Sequence, residues 1–473
     1  DGYTNDLPSG RDINTGDRWP LRGQAIWDIR QDASSRLIVD AAETDEICCG
    51  ITPLFYGPAQ GIISLLTAGA GTPAINPERR GMTVTPGRSY LEQTEEQGVS
   101  GQLDWDLGFA NFTSITALRD WDAVRNQDVD FNLIDIAYRE GLEVGFRNFT
   151  QEFRLQGEAG RLDWLVGVFY GDERMYYNDT IRTGAAASPY ANVASLANTA
   201  ALTPGGCELY NFSAQPSLFQ CAASAIMTAN PALFPALILA VNSVNAGPNA
   251  GHLSPNANGD GQQSDRWRVD TESLAFFTHN VLSITDQLEL TFGLRYSDET
   301  KKIGANLNSV SPSCTTLQQM EAVTAPLLGG TGIVTALQTP TSLGGFGASS
   351  LMNLACNPAV NTIANGAFAG ESDEGEFSGT LSLGYHVNDD LFIFGGYSRG
   401  YKAGGFNTDR SGFAITPATI SPAAVNINQV AFDPEFTDSF ELGFKSTILG
   451  GSTTFNVTAF HQQMSDYQPN AFN

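Results

Sequence analysis

Long runs in which apolar and polar residues strictly alternate constrain this chain more than any other feature of its sequence. In one run Leu288, Leu290, Phe292, Leu294 and Tyr296 oppose Glu289, Thr291, Gly293, Arg295 and Ser297. In another, Phe377, Leu381, Leu383, Tyr385 and Val387 oppose Ser378, Thr380, Ser382 and His386. Phe440, Leu442, Phe444 and Ile448 likewise oppose Ser439, Glu441, Lys445 and Thr447. A period of two places the two parities on opposite faces of a β-strand. Similar runs span 19–29, 37–41, 103–109, 153–155, 164–170 and 455–459, and the stretch from Leu391 to Asn407 starts as a strand-like run and ends in a basic, Gly-rich and aromatic segment. In 114–120 the pattern puts Ile115 and Ala117 on the apolar face against Ser114, Thr116 and Asp120, whereas the facing of Ser273 to Ser283 is ambiguous. About twelve strands result.

Alternation alone also fits a soluble sandwich with one wetted face. Two further features favour a membrane. Full charges occupy the middle of the polar parity: Arg22, Arg154, Glu289, Arg295, Glu441 and Lys445. The connections also alternate in length. Short turns fall near 31–35, 110–111, 157–160, 285–287, 388–390 and 450–451, and long ones at roughly 48–95, 127–146, 181–264, 302–373 and 408–432. Short turns at one end and long loops at the other mark an outer-membrane barrel. A sheet in hydrocarbon must close, because every backbone N–H and C=O there needs a partner. The fold class expected is therefore all-β, a transmembrane antiparallel β-barrel. Residues 1–473 are expected to form one partial barrel domain, with further strands at both ends and the long loops extracellular.

The sequence has 25 Lys and Arg against 51 Asp and Glu, a net charge of −26. That charge argues against a nucleic-acid partner, since phosphate binding needs a basic footprint. No apolar run reaches the length of a transmembrane helix, an absence that leaves barrel strands untouched. The six cysteines, Cys48, Cys49, Cys207, Cys221, Cys314 and Cys356, all lie in Gly-, Pro- or Ala-rich segments. Their placement suggests disulfides that staple long loops, Cys207 with Cys221 and Cys314 with Cys356, in an oxidising compartment. The partners of Cys48 and Cys49 stay open.

Catalytic constellations are missing. His252, His279, His386 and His461 are scattered, and no nucleophile elbow, phosphate loop or metalloprotease motif occurs. The chain is not expected to be an enzyme, nor to hold a cofactor or metal. One calcium template, Asn256-Ala-Asn258-Gly-Asp260-Gly261, fails because Trp267 stands where the bidentate Glu belongs. Apolar patches at 54–66, 222–241 and 320–337 read as short helices over the barrel mouth, or else as a hydrophobic vestibule.

Several strand segments resemble a sphingomonad and related proteobacterial branch of the TonB-dependent receptors. These are RWPLRGQAIWDI (18–29), DEICCG (45–50), SITALRDWD (114–122), QEFRLQGEAGRLDWLVGVFY (151–170), LTFGLRYSDETK (290–301), PEFTDSFELGFKS (434–446) and the run from 377 to 407 ending YSRGYKAGGFN. The resemblance implies a 22-stranded barrel with a plug, of which this chain covers about the middle. It implies TonB-energised uptake across the outer membrane of a Gram-negative bacterium, most simply of a ferric siderophore. TonB would act through a plug that these residues do not include, and the lipid and lipopolysaccharide of the outer membrane would surround the wall. Other cargoes remain open: an oligosaccharide, a cobalamin or a plant-derived aromatic. So does a non-transporting barrel serving as a subunit of a surface assembly. Residues placed to meet an anionic or aromatic ligand are Arg399, Tyr401 and Lys402, with Arg119 and Trp121 on another strand. The competing reading makes these five the rim and aromatic girdle of the barrel.

Overall fold

The structure is a computed structural model that describes residues 2–57, 60–187, 261–330, 361–413 and 425–468, with a few isolated positions between. Twelve long strands form one antiparallel sheet. They are β1 (Asp17–Arg30), β2 (Ala33–Ile47), β3 (Leu91–Asp106), β4 (Asn111–Asp128), β5 (Ala137–Ala159) and β6 (Leu162–Asp179), followed by β7 (Asp265–Ser283), β8 (Leu288–Leu307), β9 (Gly366–Asn388), β10 (Leu391–Lys402), β11 (Glu435–Ile448) and β12 (Thr453–Ser465). Each pairs with its sequence neighbours in chain order, the up-and-down meander of a barrel wall. Among the described residues β1 and β12 are the two edges of the sheet.

Register shows why the alternation is so persistent. Phe153, Val168, Phe276, Tyr296 and Phe377 lie opposite one another across β5 to β9. Val39, Val99, Leu118 and Phe149 do the same across β2 to β5. These rows make one continuous apolar face. It is left exposed: Phe276, Phe377, Leu381 and Leu442 are 57%, 56%, 53% and 69% accessible. In water, stripping so many large side chains of neighbours would forfeit roughly 1.5–3 kcal/mol each. In lipid the same exposure costs nothing, so this is the lipid-facing side.

Two details depart from the sequence reading. In β4 the lipid parity carries Phe112, Leu118 and Val124, while Ile115 and Ala117 share the polar face with Arg119. Apolar residues occur on both parities of this strand, and pairing with Val99 of β3 decides between them. In β7 the ambiguity came from the adjacent pair Phe276 and Phe277. Phe276 joins the apolar row, and Phe277 lies opposite Gly167 and Arg295 on the polar face. Gly167 is required there, because a Cβ at that position would stand 2.3 Å from the Phe277 ring.

The strands are longer than a bilayer needs. β5 and β9 each have 23 residues, against about 9–11 for a membrane-crossing strand. The surplus lies at the long-loop end, so β5 and β9 begin at Ala137 and Gly366, within stretches that the sequence pattern left as loop. There the ends of β7, β8 and β9, with residues 361–364, 403–413 and 425–430, enclose a small apolar core of Trp267, Ile303, Leu307, Ile363, Phe413, Ile427 and Val430. Inside it Arg410 is fully buried. Its Nε and Nη2 donate to Asp265 at 2.7 and 2.6 Å, and its Nη1 donates to Ser309 Oγ and to the Asn361 carbonyl, each at 3.0 Å. Helix α1 (Gln60–Leu66) and helix α2 (Pro312–Thr324), the latter capped by Ser311, also lie at this end. A second core, Ile13, Met82, Val84 and Tyr90, joins the N-terminal residues to the connection between β2 and β3.

Candidate polar wall and outer rim

On the polar face the same strand register brings charges together instead of rings. Asp40, Gly98, Arg119 and Asn148 stand in one row across β2 to β5. Arg119 donates to Asp40 at 3.1 Å and to Glu96, closing an acid–base–acid bridge across three strands. Gly98 leaves the space for it, since a Cβ there would stand 2.9 Å from the guanidinium. Arg125 pairs with Glu92, and Arg154 with Glu152, along the same wall. Because the Arg119 side chain is 41% exposed, solvent screens these pairs. Arg119→Ala is therefore expected to change stability by no more than about 1 kcal/mol. Thermal unfolding in detergent measures it, and a much larger loss would mean that the bridge is shielded from water.

Further round the wall two cations rest on rings rather than on carboxylates. Arg295 lies 5.5 Å from the Phe169 ring and 5.7 Å from the Phe277 ring, with Nε donating to Ser297 Oγ at 2.9 Å. Lys445 stands 5.6 Å from Phe394, within a ladder of His386, Phe392 and Phe394. A cation held this way keeps most of its capacity to meet an anion. The sequence reading noted Arg295 and Lys445 only as mid-strand charges; the rings beneath them could be found only through cross-strand register.

The five residues picked out for ligand contact fall into two separate groups. Arg119 and Trp121 belong to β4, where Trp121 stacks on Phe146 at 5.4 Å. Arg399, Tyr401 and Lys402 belong to β10, six strands away. Arg399 lies opposite Asp438, pairs with it at 3.4 Å and covers the Phe436 ring at 4.7 Å. Its parity is that of Tyr397, whose ring packs at a tilt against Phe440 at 5.0 Å and whose hydroxyl donates to Asp438 at 2.5 Å. Tyr401 packs on Phe436 at 6.3 Å, and Lys402 is exposed opposite Glu435.

Cys314, in the first turn of α2, is bonded to Cys356, and both are buried. Cys48 and Cys49 form a vicinal disulfide. Cys207, Cys221, the calcium template at 256–260 and most of the patch at 222–241 lie outside the described residues. Among the described residues, Cys48, Cys49 and Glu92 are the one group of three His, Cys, Asp or Glu side chains within reach of a common ion. Its two sulfurs are bonded to each other and do not coordinate.

A family model described as TonB dependent receptor-like, beta-barrel matches residues 59–473. No curated protein matches the sequence. Among solved structures the chain is similar to the ferric yersiniabactin uptake receptor FyuA from Yersinia pestis. The two are 13% identical with a TM-score of 0.56, covering 100% of this chain and 49% of that one. It is also similar to the siderophore receptor PiuA from Acinetobacter baumannii, at 12% identity and TM-score 0.50, covering 94% and 49%. For the ferric-catecholate import receptor Fiu from E. coli K12 the values are 10% and 0.50, covering 98% and 54%. The chain thus spans about half the length of these receptors, and at such identities the likeness is one of fold.

Proposed function

This chain belongs to the TonB-dependent receptor β-barrel family, an outer-membrane barrel and not an enzyme, and on that premise we propose that it takes part in TonB-energised uptake of a ferric siderophore. The observation that carries the reading is the barrel match over residues 59–473. Fold similarity to receptors described as taking up ferric yersiniabactin and ferric catecholates favours an iron chelate as cargo. The chemistry of the wall agrees with an anionic, aromatic cargo, because Arg295 and Lys445 offer cations backed by rings. In this reading the short turns face the periplasm and the long loops face outward. Arg399, Tyr401 and Lys402 then lie near the outer rim, and TonB engages a plug outside the residues described.

Uptake of radio-iron chelates by iron-starved cells tests it. Deleting the gene is expected to abolish import of at least one ferric siderophore, and a plasmid copy should restore it only in cells that have TonB. Unchanged import across a panel of hydroxamate, catecholate and phenolate chelates, with no induction on iron depletion, would remove iron as the cargo.

A further inference from the structure

Beyond the apolar rows the lipid parity continues outward and changes its chemistry. Phe153, Val168, Phe276 and Tyr296 share one row across β5 to β8. Further out along the same strands and on the same parity, the row reads Arg147, Arg174, Asp270 and Lys302. Arg268 is the next outward residue of that parity on β7. The side chains of these four cations are 60–70% exposed. Between the two rows lie Leu274 and the rings of Phe149 and Tyr170, which pack at 6.3 Å. From the short turn at Ala159, Arg147 is about 40 Å along the strand and about 30 Å up at a tilt of about 40°. The apolar band of such a wall is about 25 Å tall, so the cations stand just above it, level with lipid headgroups.

Arg147 and Arg174 are direct cross-strand partners. Like charges so placed repel, because their Cβ atoms are only about 4.5–5.5 Å apart. The carboxylates at hand relieve them in part. Arg147 sends Nε and Nη2 to one oxygen of Asp120, at 2.8 and 2.5 Å. Arg174 stands 3.4 Å from Asp172 and makes no hydrogen bond among the described residues. Arg268 commits Nε alone to Asp270, at 3.0 Å, and Lys302 is 3.9 Å from Glu371. These are exposed, solvent-screened pairs that an arriving anion can displace.

The sorting of charge along the wall points the same way. Cations are scarce in this chain, 25 Lys and Arg against 51 Asp and Glu. On the same parity and beyond the apolar rows, β2, β3 and β4 carry Glu43, Glu95 and Asp122 in one directly opposed row. None of these three acids is in an ion pair among the described residues, while the cations gather on β5 to β8. Interleaving the two sets would neutralise both. Keeping them apart favours an outside anion at the arginines, and the planar guanidinium fork matches phosphate oxygens. Directly beneath, the apolar rows offer a surface to acyl chains, from which a soluble anion gains nothing.

We propose that Arg147, Arg174, Arg268 and Lys302 bind the phosphorylated headgroup of an outer-leaflet glycolipid, whose acyl chains lie on the apolar rows below. The opposed arginines hold one phosphate between them, and Arg268 with Lys302 meets a second. The patch faces away from the polar wall, so a cargo passing inside the barrel does not touch it. The site rests on the long loops facing outward and is indifferent to which cargo the receptor carries.

Native mass spectrometry of the protein released from detergent micelles, titrated with diphosphoryl lipid A, tests the site. Saturable adducts are expected. The double variant Arg147→Gln, Arg174→Gln should weaken them at least about tenfold, the least expected for losing charge-assisted hydrogen bonds. Arg161→Gln is the control, an exposed arginine paired with Asp286 at the short-turn end of the wall, and should bind as the parent does. All three side chains are exposed, so the variants keep the fold. Equimolar pyrophosphate should leave the lipid bound. The proposal is overturned by an absence of saturable binding, by unchanged binding in the double variant, or by an equal loss in Arg161→Gln, which would reduce the effect to net charge. Displacement of the lipid by pyrophosphate would also overturn it, since the ligand would then be a soluble anion. Lipid binding and radio-iron uptake are separate measurements, so this site and the proposed cargo fail independently.

Discussion

Replacing Arg410 by alanine is expected to cost the outer platform about 3–5 kcal/mol, the usual penalty for stranding one partner of a buried ion pair. Neither Arg410 nor Asp265 has any solvent-exposed side-chain surface. Once the guanidinium is gone, Asp265 keeps only the Asn308 amide at 3.0 Å and the Gln263 side chain at 2.8 Å. Two neutral donors do not repay the desolvation of a carboxylate. Ser309 Oγ and the Asn361 carbonyl lose their charged donor in the same step. Because the site lies above the lipid, the barrel should still assemble while the platform loosens. Amide exchange at Ile427–Val430 and at the outer ends of β7 and β8 should rise by roughly two to four orders of magnitude, the equivalent of that free energy. The double variant Arg410→Met, Asp265→Leu should recover most of the protection, because it leaves no charge stranded. Unchanged exchange in Arg410→Ala would show that the platform is held by its apolar core alone.

The second large effect separates the two faces of the wall. Leu381→Arg puts a guanidinium on the lipid parity of β9, in register with Phe292 and Tyr397. Near the bilayer midplane this costs about 2–4 kcal/mol. Ser382→Arg, one residue along, turns the same side chain to the polar face beside Gly396 and Thr291 and should fold nearly as well as the parent. Urea titrations in lipid vesicles would resolve the pair. Equal destabilisation would mean that the apolar rows do not face lipid.

The fold was legible because each lipid-facing strand must repeat one chemical choice at every second residue. β8 and β11 do so without exception near their centres, β9 departs only at Gly379, and in all three the expected and observed faces agree. The reading failed where a strand carries apolar residues on both parities. In β4, Ile115 and Ala117 look as apolar as Leu118, and only pairing with β3 shows which belong to the lipid side. Residue contacts across strands were less legible still. Nothing local in the sequence says that Arg119 will reach Asp40, 79 residues away, or that Phe169 and Phe277 will both lie beneath Arg295.

The excess length of β5 and β9 has a thermodynamic consequence. At about 3.3 Å per residue a 23-residue strand is roughly 75 Å long, whereas a band of about 25 Å crossed at about 40° uses only some ten residues of it. The rest of the ladder stands in water. One set of strands therefore obeys two solvents. The inner storey is held by the lack of any competing hydrogen-bond partner in hydrocarbon, and the outer one by its small apolar cores and the Arg410 network. Denaturant reaches the outer storey first and gains little purchase on the inner one. A single unfolding free energy is then not a defined quantity for this chain, and a melting temperature describes only the storey that its probe observes.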